Sequence, residues 1–240
     1  MKIQFLQKEI WFKNRKYIVL TPTFHTKDIF ACEFDKDMFI IFGNQQSLQY
    51  LACVLLIGAD HRDKIIYLTN IEKDLPIHLH RFSHTKKNNE LVFLHHSQQF
   101  NTHQWKDLRQ KVHQQKGRVR SFELNPRKFS DLDYDDYTRF HYEENNDKIF
   151  IKWDFDTLFI IGSKIVFEYA SGLFEPLSRT GAGSFLRTFG HENFHLYPFT
   201  LNTQGLCVDY YDKALWNKHL KDSEKYGDIS RGLNHEDNNC

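Results

Sequence analysis

The sequence predicts an α+β fold, strand-rich, with mixed or antiparallel sheets and a few helices. Three observations carry this. Short apolar runs bounded by turn residues recur along the chain. Few windows show helical periodicity. Of the 240 residues, 40% are hydrophobic and 22 are Phe, enough to bury a sizeable core.

Residues 3–13 and 16–23 read as two strands joined at Asn14-Arg15, a hairpin. Residues 28–35 and 38–42 are further strands, rich in Phe and Ile. Leu48, Leu51, Ala52, Leu55 and Leu56 then recur at spacings of three and four, which marks a helix from Gln45 that stops near Gly58. Strands are expected at 64–68, 75–82 and 90–95, a polar helix at 101–115 and a short strand at 119–124. Residues 126–136 are polar and Asp-rich and contain Pro126. They set the expected boundary between a basic N-terminal lobe (1–125) and an acidic C-terminal lobe (126–220). In the second lobe, 148–154 and 157–161 read as strands, 164–174 as a helix, 178–184 as a Gly-containing loop, 206–211 as a strand and 213–219 as a last helix. Residues 221–240 read as a flexible polar tail.

The two lobes carry opposite charge. Residues 1–120 hold 19 Lys/Arg against 11 Asp/Glu, and residues 121–240 hold 13 against 20, which leaves a net charge of +1. The halves either attract each other or present their fields to a partner. No apolar stretch is long enough for a membrane span or a secretory signal, so a soluble, cytoplasmic protein is expected. Cys32, Cys53, Cys207 and Cys240 lack metal-ligand spacing and are too sparse for a disulfide framework.

An internal repeat is suggested by Phe39-Ile40-Ile41-Phe42-Gly43 and Leu158-Phe159-Ile160-Ile161-Gly162, with Tyr50 and Tyr169 each seven residues past the Gly. His78-Leu79 and His195-Leu196 extend the match. A true duplication would give two similar α/β lobes side by side.

Residues 39–56 carry a recognisable pattern: an apolar strand, then Gly43-Asn44, Leu48 and Leu51-Ala52. With the strand expected around Ile77-His78-Leu79-His80, this stretch (38–82) resembles small bacterial immunity proteins of polymorphic toxin systems. Ser47 stands where that pattern usually has Gly. Read physically, Gly43 makes a tight turn, Asn44 caps the helix, and the rest is core. The resemblance implies a non-catalytic protein that neutralises a cognate toxin by occluding its active or substrate-binding surface, with no cofactor.

The partner surface is expected in residues 131–147, where seven carboxylates alternate with aromatic residues. Asp133, Asp135, Asp136, Glu143 and Glu144 would meet cations on the toxin. Tyr134, Tyr137 and Tyr142 would anchor in its pockets. The bland alternative is a solvated connector.

A second reading comes from Gly190-His191-Glu192-Asn193-Phe194-His195. On a helix, His191 and His195 would share one face and bind zinc, Glu192 would activate water, and Glu224 or His219 could supply a third ligand. That set would make the chain a zinc-dependent hydrolase. Gly190 and Pro198 both weaken such a helix.

Other clusters are weaker. His78 and His80 would share a strand face, with His84, His95 and His96 nearby, most simply as a half-exposed sheet surface. His61-Arg62-Asp63 lacks a kinase context, and Gly181-Ala182-Gly183 lacks that of a dinucleotide site. Cys53 reads as core. The basic run 111–120 could touch nucleic acid, but the acidic stretch behind it favours intramolecular pairing, so nucleic acid is the least supported partner.

Overall fold

The computed structural model describes residues 2–24, 27–35, 38–69, 72–124, 149–188, 193–196 and 205–226. Eleven strands among them form two sheets, and the fold is α+β as expected.

The N-terminal hairpin pairs β1 (Lys2–Phe12) with β2 (Arg15–Pro22). Its two-residue turn is Lys13-Asn14, one residue earlier than read from sequence. Both residues have positive φ, the requirement of a type I′ turn. Then come β3 (Ile29–Asp35), β4 (Met38–Gly43) and α1 (Gln45–Asp60). β5 (Lys64–Leu68) and β6 (Glu90–His95) follow, then α2 (Trp105–Gln114) and β7 (Arg118–Glu123). The second half supplies β8 (Phe150–Asp154), β9 (Thr157–Gly162), α3 (Lys164–Thr188), β10 (Asn193–Leu196), β11 (Gly205–Tyr210) and α4 (Lys213–Tyr226).

The seven-stranded sheet runs β7-β1-β2-β5-β6-β9-β8 and the four-stranded sheet runs β10-β11-β4-β3. Each draws strands from both sides of residue 125. β9 lies parallel to β6, and β11 lies parallel to β4. The boundary expected at 126 therefore does not separate two lobes: each sheet is completed by strands from the other side of it.

The repeat takes a corresponding form. β3–β4–α1 and β8–β9–α3 are each an antiparallel hairpin, a Gly and a helix, followed by a second antiparallel pair, β5–β6 or β10–β11. Each second pair joins the other unit's hairpin rather than its own. The orders β5-β6-β9-β8 and β10-β11-β4-β3 match strand for strand, antiparallel–parallel–antiparallel.

The helix starts match too. The Asn44 side chain accepts from the Ser47 amide (3.0 Å) and the Asn44 carbonyl from the Leu48 amide (2.9 Å). In α3, Ser163 Oγ accepts from the Val166 amide (3.4 Å) and the Ser163 carbonyl from the Phe167 amide (3.1 Å). At the end of each parallel pair Gly43 faces Tyr210 and Gly162 faces His95. So the repeat units interleave, which corrects the side-by-side arrangement. The His78/His195 match fails, because His195 lies on β10, whose counterpart is β5.

Helix α1 is apolar around most of its circumference and is buried accordingly. It packs along α3 and reaches β5 and β6, while α3 reaches β11. One apolar core joins these helices to both sheets. A second lies on the opposite face of the large sheet, where Trp105, Leu108 and Val112 of α2 cover Tyr17, Val19, Ile65, Tyr67 and Phe159. Lys8 secures α2 by donating to the Val112 carbonyl (2.8 Å), one of the carbonyls a helix end leaves unpaired.

Three more expectations are corrected. Residues 77–82 form a 3-10 helix after Pro76, not a strand, because Leu79 donates back to the Pro76 carbonyl (2.8 Å). The loop expected at 178–184 is helical: α3 runs through Pro176 and both glycines to Thr188. Residues 221–226, expected in the tail, complete α4. Among the described residues, no helix is long and apolar enough to cross a membrane.

Candidate functional site

The β8–β9 hairpin turns through Phe155-Asp156, and both residues have positive φ (52° and 57°). A type I′ turn suits Asn-Gly or Asp-Gly. A bulky residue there is a genuine outlier, holding about 1–3 kcal/mol of strain. The Phe155 side chain is nevertheless 39% exposed and sits in neither core. Two more large aromatics on this edge strand are exposed, Trp153 at 43% and Phe150 at 40%. By strand alternation, Trp153 projects from the face of buried Ile151 and Phe150 from the other.

Long-range contacts fix the hairpin. Arg109 Nη1 donates to the Phe155 carbonyl (3.1 Å) and to Glu90 Oε2 (2.8 Å). Tyr67 OH donates to the same carboxylate oxygen (2.8 Å), and its oxygen lies 3.4 Å from His113 Nε2. Burial and the Glu90 charge push the Tyr67 pKa up, so the phenol keeps its proton and acts as a donor. Trp105 Nε1 donates to Thr157 Oγ1 (3.1 Å), and Asp154 accepts from Thr102. Lys87 pairs with Asp156 (3.6 Å). Together these contacts staple α2 and the turn to β5 and β6.

The staple forms one side of an open cleft of about 770 Å³. Lys106, Arg109, Gln110, His113 and Gln114, one stripe of α2, face it across from Lys73, Lys87 and Asp156. In the structure the Glu90 and Asp156 carboxylates are paired with Arg109 and Lys87.

On the other face of the sheet, Trp153 Nε1 donates to Asn89 Oδ1 (3.0 Å). Asn88 and Asn89 clasp the outer edge of β3. Asn88 Oδ1 accepts from the Ala31 amide (2.9 Å), and its Nδ2 donates to the Ile29 (3.2 Å) and Glu72 (2.9 Å) carbonyls. The Asn89 amide donates to the Ala31 carbonyl (2.8 Å). The Trp153 ring is thus held by a group that also ties the two sheets together.

The acidic aromatic residues Asp133, Tyr134, Asp135, Asp136, Tyr137, Tyr142, Glu143 and Glu144 lie outside the described residues. In sequence their stretch links β7 to β8, the two outer strands of the large sheet, and so runs directly into the aromatic edge.

His191 and Glu192 also lie outside the described residues. His195 is on β10, opposite Cys207, and α3 ends at Thr188. The helical four-residue spacing assumed for His191 and His195 therefore does not describe His195. Glu224 falls in α4. Nor do His78 and His80 share a strand face. His78 stacks on Trp216 (5.8 Å between centroids) and its Nδ1 lies 3.1 Å from Tyr211 OH, while His80 Nε2 lies 2.9 Å from the Leu75 carbonyl. Among the described residues, no three His, Cys, Asp or Glu side chains converge as metal ligands. Cys32, Cys53 and Cys207 are buried thiols, pushed by burial to about 12.

Sequence reasoning missed the hairpin tip and the Asn88-Asn89 clasp. The turn Phe155-Asp156 lacks Gly and Asn, and the clasp's partners on β3 and β8 lie 57 to 64 residues away. A Trp, two Phe and two Asp within seven residues, 150–156, was the available signal.

No protein-family model, no curated protein and no solved structure matches this chain.

Proposed function

We propose that this chain is a non-catalytic cytoplasmic binding protein that neutralises a bacterial toxin by covering its active or substrate-binding surface. The observation that carries this reading is the β8–β9 edge. It displays Trp153 and Phe155 to solvent from a backbone that long-range contacts hold in place, with Phe155 in a conformation that costs folding energy. An exposed aromatic whose ring is already held, as Trp153 is by Asn89, is a good interface anchor, because little side-chain entropy is lost when a partner arrives. Strain kept at such a position points to a use outside the fold.

The acidic aromatic stretch 131–147 abuts this edge in sequence and would extend the surface. Its carboxylates would steer a basic toxin face into place. The resemblance of residues 38–82 to immunity proteins supports the same reading. Gly43, Asn44 and the α1 leucines serve as scaffold and leave the interface to other segments. No cofactor enters this mechanism.

Phe155→Asn separates binding from folding. Asn tolerates left-handed backbone, so the variant should melt at a higher temperature than the wild type. In calorimetric titration against the toxin domain encoded beside the chain, it should bind at least about tenfold more weakly, a loss of about 1.4 kcal/mol. Trp153→Ala should weaken binding similarly. Unchanged affinity in both variants would sink this surface.

A further inference from the structure

A second surface lies at the opposite side of the large sheet. Phe12 and Arg15 flank the two-residue turn, so they exchange both main-chain hydrogen bonds, and the even-numbered residues of β1 bond to β2. The odd-numbered residues direct their amide and carbonyl groups the other way. Ile3, Phe5 and Gln7 meet Phe122, Arg120 and Arg118 of β7. Glu9 and Trp11 do not: among the described residues, no strand pairs with β1 beyond Gln7 on this side.

The gap has a local cause. The chain comes off α2 through Gly117, which packs so tightly on β1 that a Cβ there would fall 2.8 Å from the Leu6 Cβ. β7 begins only after that contact. The open half-strand carries Trp11, 70% exposed and the most exposed aromatic among the described residues.

The chemistry specifies the partner. Open main-chain groups on alternate residues repeat about every 6.8 Å, twice the rise of a strand, and an extended polypeptide matches that repeat. A nucleic acid backbone offers no such alternation of amide and carbonyl. Lys16, directly across from Trp11, and Arg118, across from Gln7, lie on the face of the Trp11 ring. Lys13, in the turn at the end of the open stretch, sets its ammonium over the Phe12 ring (5.4 Å). The carboxylate on that face, Glu9, pairs with Lys16 (2.6 Å) and offsets its charge, so the excess positive charge there comes from Arg118. The local field is positive.

We propose that the open half of β1, residues 8–12, is a strand-addition site that takes an extended, acidic segment of a partner polypeptide, with the Trp11 ring packing on it. This surface is independent of the β8–β9 edge, and its test does not involve a toxin.

The probe is a short peptide alternating Glu and Val, with its Lys–Val counterpart as control. Both are titrated into the full chain by fluorescence anisotropy and followed by amide chemical shifts. The Glu–Val peptide should bind at least about tenfold tighter than the Lys–Val peptide, with the largest shifts at the Glu9 and Trp11 amides. Glu9→Pro removes one outward donor and leaves the inner ladder to β2 intact. It should abolish most of the binding, whereas Glu9→Ala, which keeps the donor, should not weaken it. Trp11→Ser gives a second variant with unaltered backbone and should also weaken binding. Equal binding of the two peptides, or binding indifferent to both Glu9→Pro and Trp11→Ser, would overturn the proposal. So would dimerisation of the free chain that Trp11→Ser abolishes, since a second copy would then be the occupant.

Discussion

Burying an amide side chain without partners costs about 1–3 kcal/mol. Asn88 and Asn89 avoid that cost by satisfying main-chain groups on β3, and so close an edge that would otherwise be open to aggregation. His78 is a different case. It is half-buried against Trp216 and Tyr211, and burial, then the nearby Lys213 charge, lower its pKa from 6.5, against the effect of a hydrogen bond with Asn217. The folded state therefore resists protonation more than the unfolded chain does. The stabilising contribution is complete above pH 6.5 and is lost as the pH falls toward the lowered folded value. Urea melts across pH 5 to 7.5, a range of about one unit or more on either side of the unfolded His value, should show stability falling with acid. The loss should be smaller in His78→Gln, which does not titrate. His61, also lowered by burial, leaves a residual slope in both proteins. Identical slopes would mean that His78 titrates alike folded and unfolded. Neither residue's role was legible in the sequence. The asparagines look like loop residues and His78 reads as part of a strand until distant partners, β3 for the asparagines and Tyr211 for His78, are known.

At the scale of elements, α3 is the instructive helix. Pro176, Gly181 and Gly183 argue locally for a break, yet the helix continues to Thr188. Gly181 is needed for packing rather than turning: a Cβ there would lie 2.2 Å from the Tyr210 ring on β11. Gly181→Ala improves helix propensity by about 1 kcal/mol but cannot fit without moving β11. We expect a net destabilisation of about 1–3 kcal/mol, read as a lower urea midpoint at unchanged slope. A more stable variant would show that α3 does not press on β11 at this point. Elements whose period and caps agree were readable from sequence alone. α1 carries its apolar spacing and its Asn44 cap on the surface of the sequence, and 64–68 and 90–95 were bounded to the residue. The 3-10 helix after Pro76 and the long α3 were not. The first is a local turn closed by Leu79 on the Pro76 carbonyl within an apolar run that reads as a strand. In the second, tertiary packing on β11 accompanies a helix that local propensity would break.

At the scale of the molecule, interleaving explains why the charge asymmetry of the halves does not make two domains. Each half-chain completes the other's sheet, and pairs such as Lys87–Asp156 and Lys164–Asp60 join basic-half and acidic-half elements. The sequence repeat pointed to the two units. The exchange of their strand pairs could not be read from it, since strand order depends on partners that periodicity does not name. The same exchange places β7 and β8 at opposite edges of one sheet and leaves each with exposed side chains, Val119 on one and Trp153 on the other. The acidic aromatic stretch, which stands out in composition, lies outside the described residues. The Phe155 tip, the part of the candidate surface that the fold displays, was not legible in the sequence, because its strain and its contacts depend on distant partners. Growth protection is the test we would make first of the proposal that the β8–β9 surface neutralises a toxin. Toxin domains sought among the genes neighbouring this one would be expressed in cells: for one of them, growth should be restored when the wild-type chain is co-expressed and should stop when the Phe155→Asn, Trp153→Ala double variant replaces it at equal abundance. Growth arrest that the wild-type chain relieves for none of them would mean that this chain is not a toxin neutraliser.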